Sequence, residues 1–232
     1  ATSPGQRLKL PRTVTAPTQC TSLNGTTQYY SKSSPSGMTF TDDFTVSAWV
    51  KIPTYADSAF LSRWDGTNGF IGKITTAGQV TLTGFNGSAA NSFAVTSYQS
   101  IPLNKWVHIA VQMDMTVTTN SPTTNYVMID GVNVPAYCTR AGTNPTSLNQ
   151  GTASYVIGAQ GTTSAFYNGK LAQVAIYSAK VTQATILASM NQTLTGSETS
   201  LVSAYTFNGV ITDLSANANN LTPQGSAVAT NP

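Results

Sequence analysis

Acidic and catalytic side chains are what this chain has least of. It holds one histidine, His108, one glutamate, Glu198, and seven aspartates that are scattered apart from Asp42-Asp43. Glycoside hydrolysis needs two carboxylates facing one bond. Here Asp42-Asp43 sit in the turn before a strand, where successive side chains diverge, and Glu198 lies in a loop-like GSETS stretch. With a single histidine, Ser–His–Asp and histidine-based metal schemes lack partners. His108 alternates with apolar residues in KWVHIAV and reads as a satisfied strand residue. No phosphate loop or dinucleotide fingerprint occurs. These absences argue for a protein that is not an enzyme.

Charge of either sign is scarce as well. Asp, Glu, Lys and Arg make up 8% of 232 residues, with a net charge of +3, about a third of the usual charged share. Apart from Arg7, Lys9 and Arg12 the basic residues are dispersed, so there is no stripe of the kind nucleic acid requires. No apolar run reaches the roughly 18 residues that span a bilayer. Ser, Thr, Asn, Gln and Gly fill the surface instead, which suits an extracellular, cell-surface or virion setting. The chain opens at Ala1 rather than at Met, as a processed form would. Its two cysteines, Cys20 and Cys138, match no zinc or redox spacing. They are either two buried free thiols or one disulfide tying the N-terminal region to the middle of the chain.

What is present is alternation. Residues 1–19 carry three prolines and three basic residues without an acid, and read as an extended arm. From Cys20 onward, residues 20–232 read as one domain of short apolar-alternating runs divided by Gly, Asn, Ser and Pro. FTVSAWVKI (44–52), FIGKI (70–74), QVTLTGF (79–85), WVHIAVQM (106–113), SYVIGA (154–159) and KLAQVAIYS (170–178) are the clearest. This pattern predicts half-buried strands in an all-β, two-sheet antiparallel sandwich. In FTVSAWVKI, Phe44, Val46, Ala48, Val50 and Ile52 share one face, and Trp49 points to the other. Asp130-Gly131 supplies a hairpin turn. VTQATILASMNQ (181–192) places Val181, Ala184, Ile186 and Leu187 at helical spacing, predicting one short helix near 182–191.

Taken in order, these runs resemble the laminin-G-like or concanavalin A-like jelly-roll superfamily. LNGTTQYYS (23–31), FTVSAWVKI, FLSRWDGTNGFIGKI (60–74), NKWVHIAVQMD (104–114), YVMIDGV (126–132) and VIGAQGTTSAFYNGKLAQVAIYSAKVTQATI (156–186) match the family pattern over roughly residues 20–190. LVSAYTFNGVITDLSANANNLT (201–222) resembles the family's first strand and loop, yet here it follows the helix. It is either a permuted strand pairing in its usual place or a strand donated to a neighbouring subunit. Alternation puts Val202, Ala204 and Thr206 on one face and Leu201, Ser203, Tyr205 and Phe207 on the other, and the two aromatics mark the second face as the buried one.

The resemblance implies a lectin-like module in a superfamily where calcium is common and some members cleave polysaccharides. In 213–220, Asp213, Ser215, Asn217 and Asn219 put side-chain oxygens at alternate positions, as a calcium loop would. An Asx-turn loop bonding its own backbone fits the same residues. Sugar-binding sites combine aromatics with Asn, Asp and Gln, and Trp64, Asp65, Asn68, Asn86, Tyr167 and Asn168 supply these types in predicted loops. Two functions remain in view. One is a carbohydrate-binding or adhesion module meeting a glycan or a surface protein. The other is a structural subunit, such as a virion decoration protein or filament protomer, assembling through residues 1–19 or 201–222.

Overall fold

The computed structural model describes residues 15–117, 124–143, 148 and 151–230. In chain order the strands are β1 (Cys20–Asn24), β2 (Tyr29–Lys32), β3 (Asp43–Lys51), β4 (Ser58–Trp64), β5 (Gly69–Ile74), β6 (Gln79–Phe85), β7 (Ser92–Ser100) and β8 (Val107–Asp114). There follow β9 (Tyr126–Ile129), β10 (Val132–Val134), β11 (Ala136–Ala141), β12 (Tyr155–Ile157), β13 (Asn168–Tyr177), helix α1 (Gln183–Met190), β14 (Leu201–Tyr205), β15 (Thr222–Gln224) and β16 (Ala229–Thr230). They form two antiparallel sheets. The first runs β10-β9-β8-β3-β13-β1-β16 with β14 also on β13, and the second runs β11-β7-β6-β5-β4-β12-β2-β15. The chain is thus an all-β jelly-roll sandwich with one short helix.

Burial explains why the alternation was readable. Phe44, Val46, Ala48, Val50 and Ile52 enter the core between the sheets, where Phe44 stacks on Phe40 at 4.6 Å and meets Phe70 at 5.3 Å. Trp49 lies on the opposite face, in a smaller core beneath α1. There Ala110, Ala172, Ala175 and Ala204 carry too little side chain to hold the helix off, so Ile186 and Met190 pack close to the sheet. Thr182 caps α1, its hydroxyl accepting the Thr185 N–H at 3.2 Å. The helical face is not quite the predicted one. Val181 precedes the helix and Ala184 faces solvent, while Ile186 and Met190 are buried.

The turn at Asp130-Gly131 has both residues at positive φ, 49° and 67°, the geometry of a two-residue hairpin. Asp130 also accepts the His108 backbone N–H at 2.9 Å, and its own N–H donates to the His108 carbonyl at 2.8 Å. The His108 ring is buried edge-on to Trp49 at 5.3 Å. It belongs to a core.

Leu201–Tyr205 pairs with β13 of its own chain, Tyr205 opposite Val174 and Ala204 opposite Ala175. On the same side of β13, β1 pairs from Asn168 to Leu171. The two strands therefore lie end to end as one split strand. The register slips between Ile176 and Tyr177, which corrects the predicted faces. Tyr205 and Phe207 reach the main core as expected, but Val202 joins them there, and Leu201 turns to the helix side.

The disulfide alternative is also corrected. Cys20 sits on β1 of the first sheet and Cys138 on β11 of the second, both buried and not joined by a disulfide. Burial pushes the Cys20 thiol up, against the pull of Lys170 and Lys51. Of the predicted arm, residues 15–18 line a shallow concavity with Gln173 and Met190. Arg7, Lys9 and Arg12 lie outside the described residues.

Candidate functional site

β4 ends at Trp64, and the turn Asp65–Asn68 returns the chain into β5. Asp65 Oδ1 organises that turn, accepting the N–H groups of Thr67 at 3.0 Å and Asn68 at 2.8 Å and the Thr67 hydroxyl at 3.0 Å. Partial burial raises the Asp65 pKa, but these donors outweigh it and hold the carboxyl below its usual range. Asn68 Oδ1 in turn accepts the Gly87 N–H at 2.7 Å, which fastens the β6–β7 loop containing Asn86 to this turn.

The opposite wall comes from the loop after β12. Because β12 pairs with β4, Val156 facing Ser62, the chain leaving β12 passes beside Trp64. Ser62 Oγ donates to Ala159 O at 2.8 Å and accepts Gly161 N–H at 3.0 Å, fixing the loop. The result is a cavity of about 370 Å³ lined by Trp64, Asp65, Gly66, Gln160, Thr162 and Thr163. Trp64 leans on Phe85, ring centres 6.1 Å apart, and its indole N–H is buried with no acceptor among the described residues. Arg63, buried, supports the site from behind by donating to Met38 O at 2.9 Å and Ala153 O at 3.1 Å.

The structure separates the six predicted sugar contacts. Trp64 and Asp65 line the cavity, and Asn68 and Asn86 belong to the adjoining turns. Tyr167 does not belong to a surface at all: it is fully buried, with its hydroxyl donating to Lys170 O at 3.2 Å. Asn168 lies on the first sheet, in another depression. Gln160, Thr162 and Thr163 went unpredicted because only the β12–β4 pairing brings them to Trp64.

The predicted calcium loop is a hydrogen-bonded latch. Asp213 Oδ1 accepts the N–H groups of Ala204 at 2.9 Å and Ser215 at 3.0 Å, and Oδ2 accepts Asn219 N–H at 2.9 Å and Ser215 Oγ at 2.8 Å. Asn217 Nδ2 donates to Val202 O at 2.9 Å, and Asn219 exchanges two bonds with the backbone of Ser36, at 2.7 and 3.0 Å. Ser215 Oγ also lies 2.8 Å from Val202 O, so its one proton serves either acceptor. With three backbone N–H groups already aimed at the one carboxylate of the loop, and Asn217 and Asn219 spent on backbone, these residues are arranged as a turn rather than as a calcium cage.

A different cluster has the donors a metal ion could use. Asp42, Asp43 and Asp114 bring carboxylate oxygens within 4.8 Å of one another. Lys180 Nζ, however, lies 2.6 Å from Asp114 and 3.6 Å from Asp43, so an ammonium already occupies the cationic place. Asp43 and Asp114 face each other across β3 and β8. Burial, followed by the hydrogen bond and repulsion from Asp114, raises Asp43 to about 6. Burial acts the same way on Asp114, but the bonds from Lys180, Thr116 and Asp43 prevail and hold it at about 2. One proton is shared between them across that interval.

This has a consequence for stability. Asp43 has a folded-state pKa above its ordinary 3.8, so its contribution is full below about pH 4 and is lost as pH rises through about 6. Asp114 has the opposite sign, contributing above about pH 4 and losing it as pH falls toward 2. The melting temperature of the parent is expected to fall between pH 4.5 and 7, and that of Asp43→Asn to fall less. Parallel melting curves for the two proteins would refute the shared proton.

A laminin-G profile of the concanavalin A-like lectin/glucanases superfamily matches residues 24–187. The chain belongs to that superfamily. Among solved structures, a Bacteroides ovatus protein assigned to carbohydrate binding is 16% identical with a TM-score of 0.63, over 92% of this chain and 59% of that one. A heptameric pentraxin from Limulus polyphemus is 13% identical with a TM-score of 0.51, over 75% of this chain and 82% of its own. The CBM40 domain of a Ruminococcus gnavus sialidase, solved with α2,3-sialyllactose, is 12% identical with a TM-score of 0.54, over 74% of this chain and 96% of its own. These likenesses establish the sandwich. No curated protein sequence is significantly similar to the chain.

The superfamily contains both lectins and glycosidases. In this member the cavity beside Trp64 is lined by one carboxylate, Asp65. The Asp43–Asp114 pair, at the start of β3 and the end of β8, is bridged by a lysine, and its carboxylate oxygens lie within 4.8 Å, closer than the roughly 5–9.5 Å between glycosidase acids. Among the described residues no helix is long and apolar enough to cross a membrane.

Proposed function

We propose that this chain is a non-catalytic glycan-binding module of an extracellular or surface-displayed protein, and that the cavity beside Trp64 receives the sugar. The observation carrying the reading is convergence at that cavity. A half-buried indole offers a ring face beside an ionised Asp65 and the amide and hydroxyls of Gln160, Thr162 and Thr163. A sugar presents the complement: apolar C–H faces for the ring and hydroxyls that both donate and accept. Asp65 Oδ1 is engaged by its turn, while the contact from Asn68 to Oδ2 is a long 3.4 Å, which suits Oδ2 to take a sugar hydroxyl. The carbohydrate-binding designations of the B. ovatus and R. gnavus proteins support the class of ligand.

The reading is tested by glycan-array screening followed by calorimetry on the best hit. Trp64→Ala should cost about 2 kcal/mol, close to thirtyfold in affinity, as removal of a central aromatic anchor does. Its circular dichroism should show the parent's fold, with a lower melting temperature from the lost packing on Phe85. Unchanged affinity in Trp64→Ala, or turnover of the bound glycan, would remove this reading.

A further inference from the structure

The outer face of the first sheet carries a second depression, away from the helix and from Trp64. Ser22 on β1 stands opposite Lys170 on β13, and Lys170 stands opposite Lys51 on β3. Alternation places all three on the solvent side, one row beyond Cys20, Ala172 and Trp49, whose side chains meet the helix. Asn104, Asn168, Gly169 and Pro53 complete a concavity of about 230 Å³.

Two like charges directly opposite on neighbouring strands repel and destabilise a sheet. Such a pair is ordinarily relieved by an acid, yet the ion pairs among the described residues engage Lys73 and Lys180 instead. Among the described residues the side chains of Ser22, Asn104 and Asn168 have no hydrogen-bond partner either, so hydroxyl and amide donors line the same space as the two lysines. The floor is rigid. Tyr167, buried beneath, bonds the Lys170 carbonyl at 3.2 Å. Gly169 has φ 142°, and a Cβ there would stand 2.2 Å from the Lys51 carbonyl oxygen, so the close approach of β13 to β3 requires glycine.

We propose that the depression between Lys51 and Lys170 binds an oxyanion carried on a saccharide, the carboxylate of a uronic acid or a sulfate ester. Two lysines paired across neighbouring strands can both turn their ammonium groups to one oxyanion, which offsets their like charge. Asn104, Asn168 and Ser22 then serve the hydroxyls of the same sugar residue. The proposal rests on the glycan-binding reading above and narrows it to acidic glycans engaged at two places on the domain.

The test compares the intact chain with the Lys51→Gln/Lys170→Gln double variant and with Trp64→Ala. The probes are a uronic-acid oligosaccharide, its carboxyl-reduced neutral counterpart, a sulfated oligosaccharide and inorganic sulfate. The parent should bind at least one acidic probe at least tenfold more tightly than the neutral one, and that preference should vanish in the double variant. The uronic and sulfated probes tell which oxyanion is carried. Because the variant relieves repulsion, it should melt no lower than the parent, and the bound acidic probe should raise the melting temperature of the parent more than that of the variant. Equal affinity of parent and double variant for both acidic probes would overturn the proposal, as would inorganic sulfate competing as well as the oligosaccharides. Neutral-sugar binding that depends on Trp64, with no acidic preference, would overturn this proposal alone. No saccharide binding in any protein would overturn both.

Discussion

A chain ending at Gly196 is expected to come out of expression aggregated or unfolded. The missing residues include β14, which closes the Val174–Tyr177 stretch of β13. Without it those N–H and C=O groups form an open edge, a template for pairing with other chains. The core loses more. Val202, Tyr205, Phe207, Leu221 and Ala227 all belong to the main cluster, with Phe207 5.4 Å from Tyr30 and Tyr205 6.2 Å from Tyr155. Phe207→Ala alone should cost about 3–5 kcal/mol through the cavity it leaves, measured by denaturant unfolding. Tyr205→Phe is the milder probe, removing only the hydroxyl that donates to Asn219 O at 2.7 Å. A folded, soluble monomer lacking 197–232 would contradict this account and return the segment to the role of a strand given to a neighbour.

The frame of this molecule was legible in its sequence where one residue's neighbours are set by its own strand. The two faces of FTVSAWVKI could be read because strand alternation needs no knowledge of the partner, and Asp130-Gly131 because a hairpin turn is local. What could not be read depends on register between distant segments. The slip opposite Ile176 and Tyr177 sends Leu201 to the helix side, and nothing in LVSAY announces it. Tyr167, in the polar text AFYNGK, looks like a surface aromatic until the strands close over it. The wall of Gln160, Thr162 and Thr163 and the meeting of Lys51 with Lys170 are likewise products of pairing.

The loop at 213–220 was ambiguous for a different reason, since side-chain oxygens at alternate positions serve a cation or a set of backbone N–H groups equally well. The direction in which the donors point decides it, and here they point inward at Asp213. Asp213→Ala is therefore expected to destabilise the fold by about 3–5 kcal/mol, because buried N–H groups of Ala204, Ser215 and Asn219 lose their acceptor at once and each unsatisfied group costs roughly 1–3 kcal/mol. The loss should be the same in calcium and in chelator. Asp213→Asn should recover only part of it, since an amide keeps one oxygen but turns an NH2 toward groups that are themselves donors. The latch also reaches the other sheet's approach, Asn219 holding Ser36 through both its amide atoms. Asn219→Ala should accordingly loosen Ser36, seen as faster amide exchange there while the strands of the second sheet stay protected. A calcium-dependent melting temperature in the parent that disappears in Asp213→Ala would mean that the carboxylate binds the ion after all, and the donors around it would then need another role.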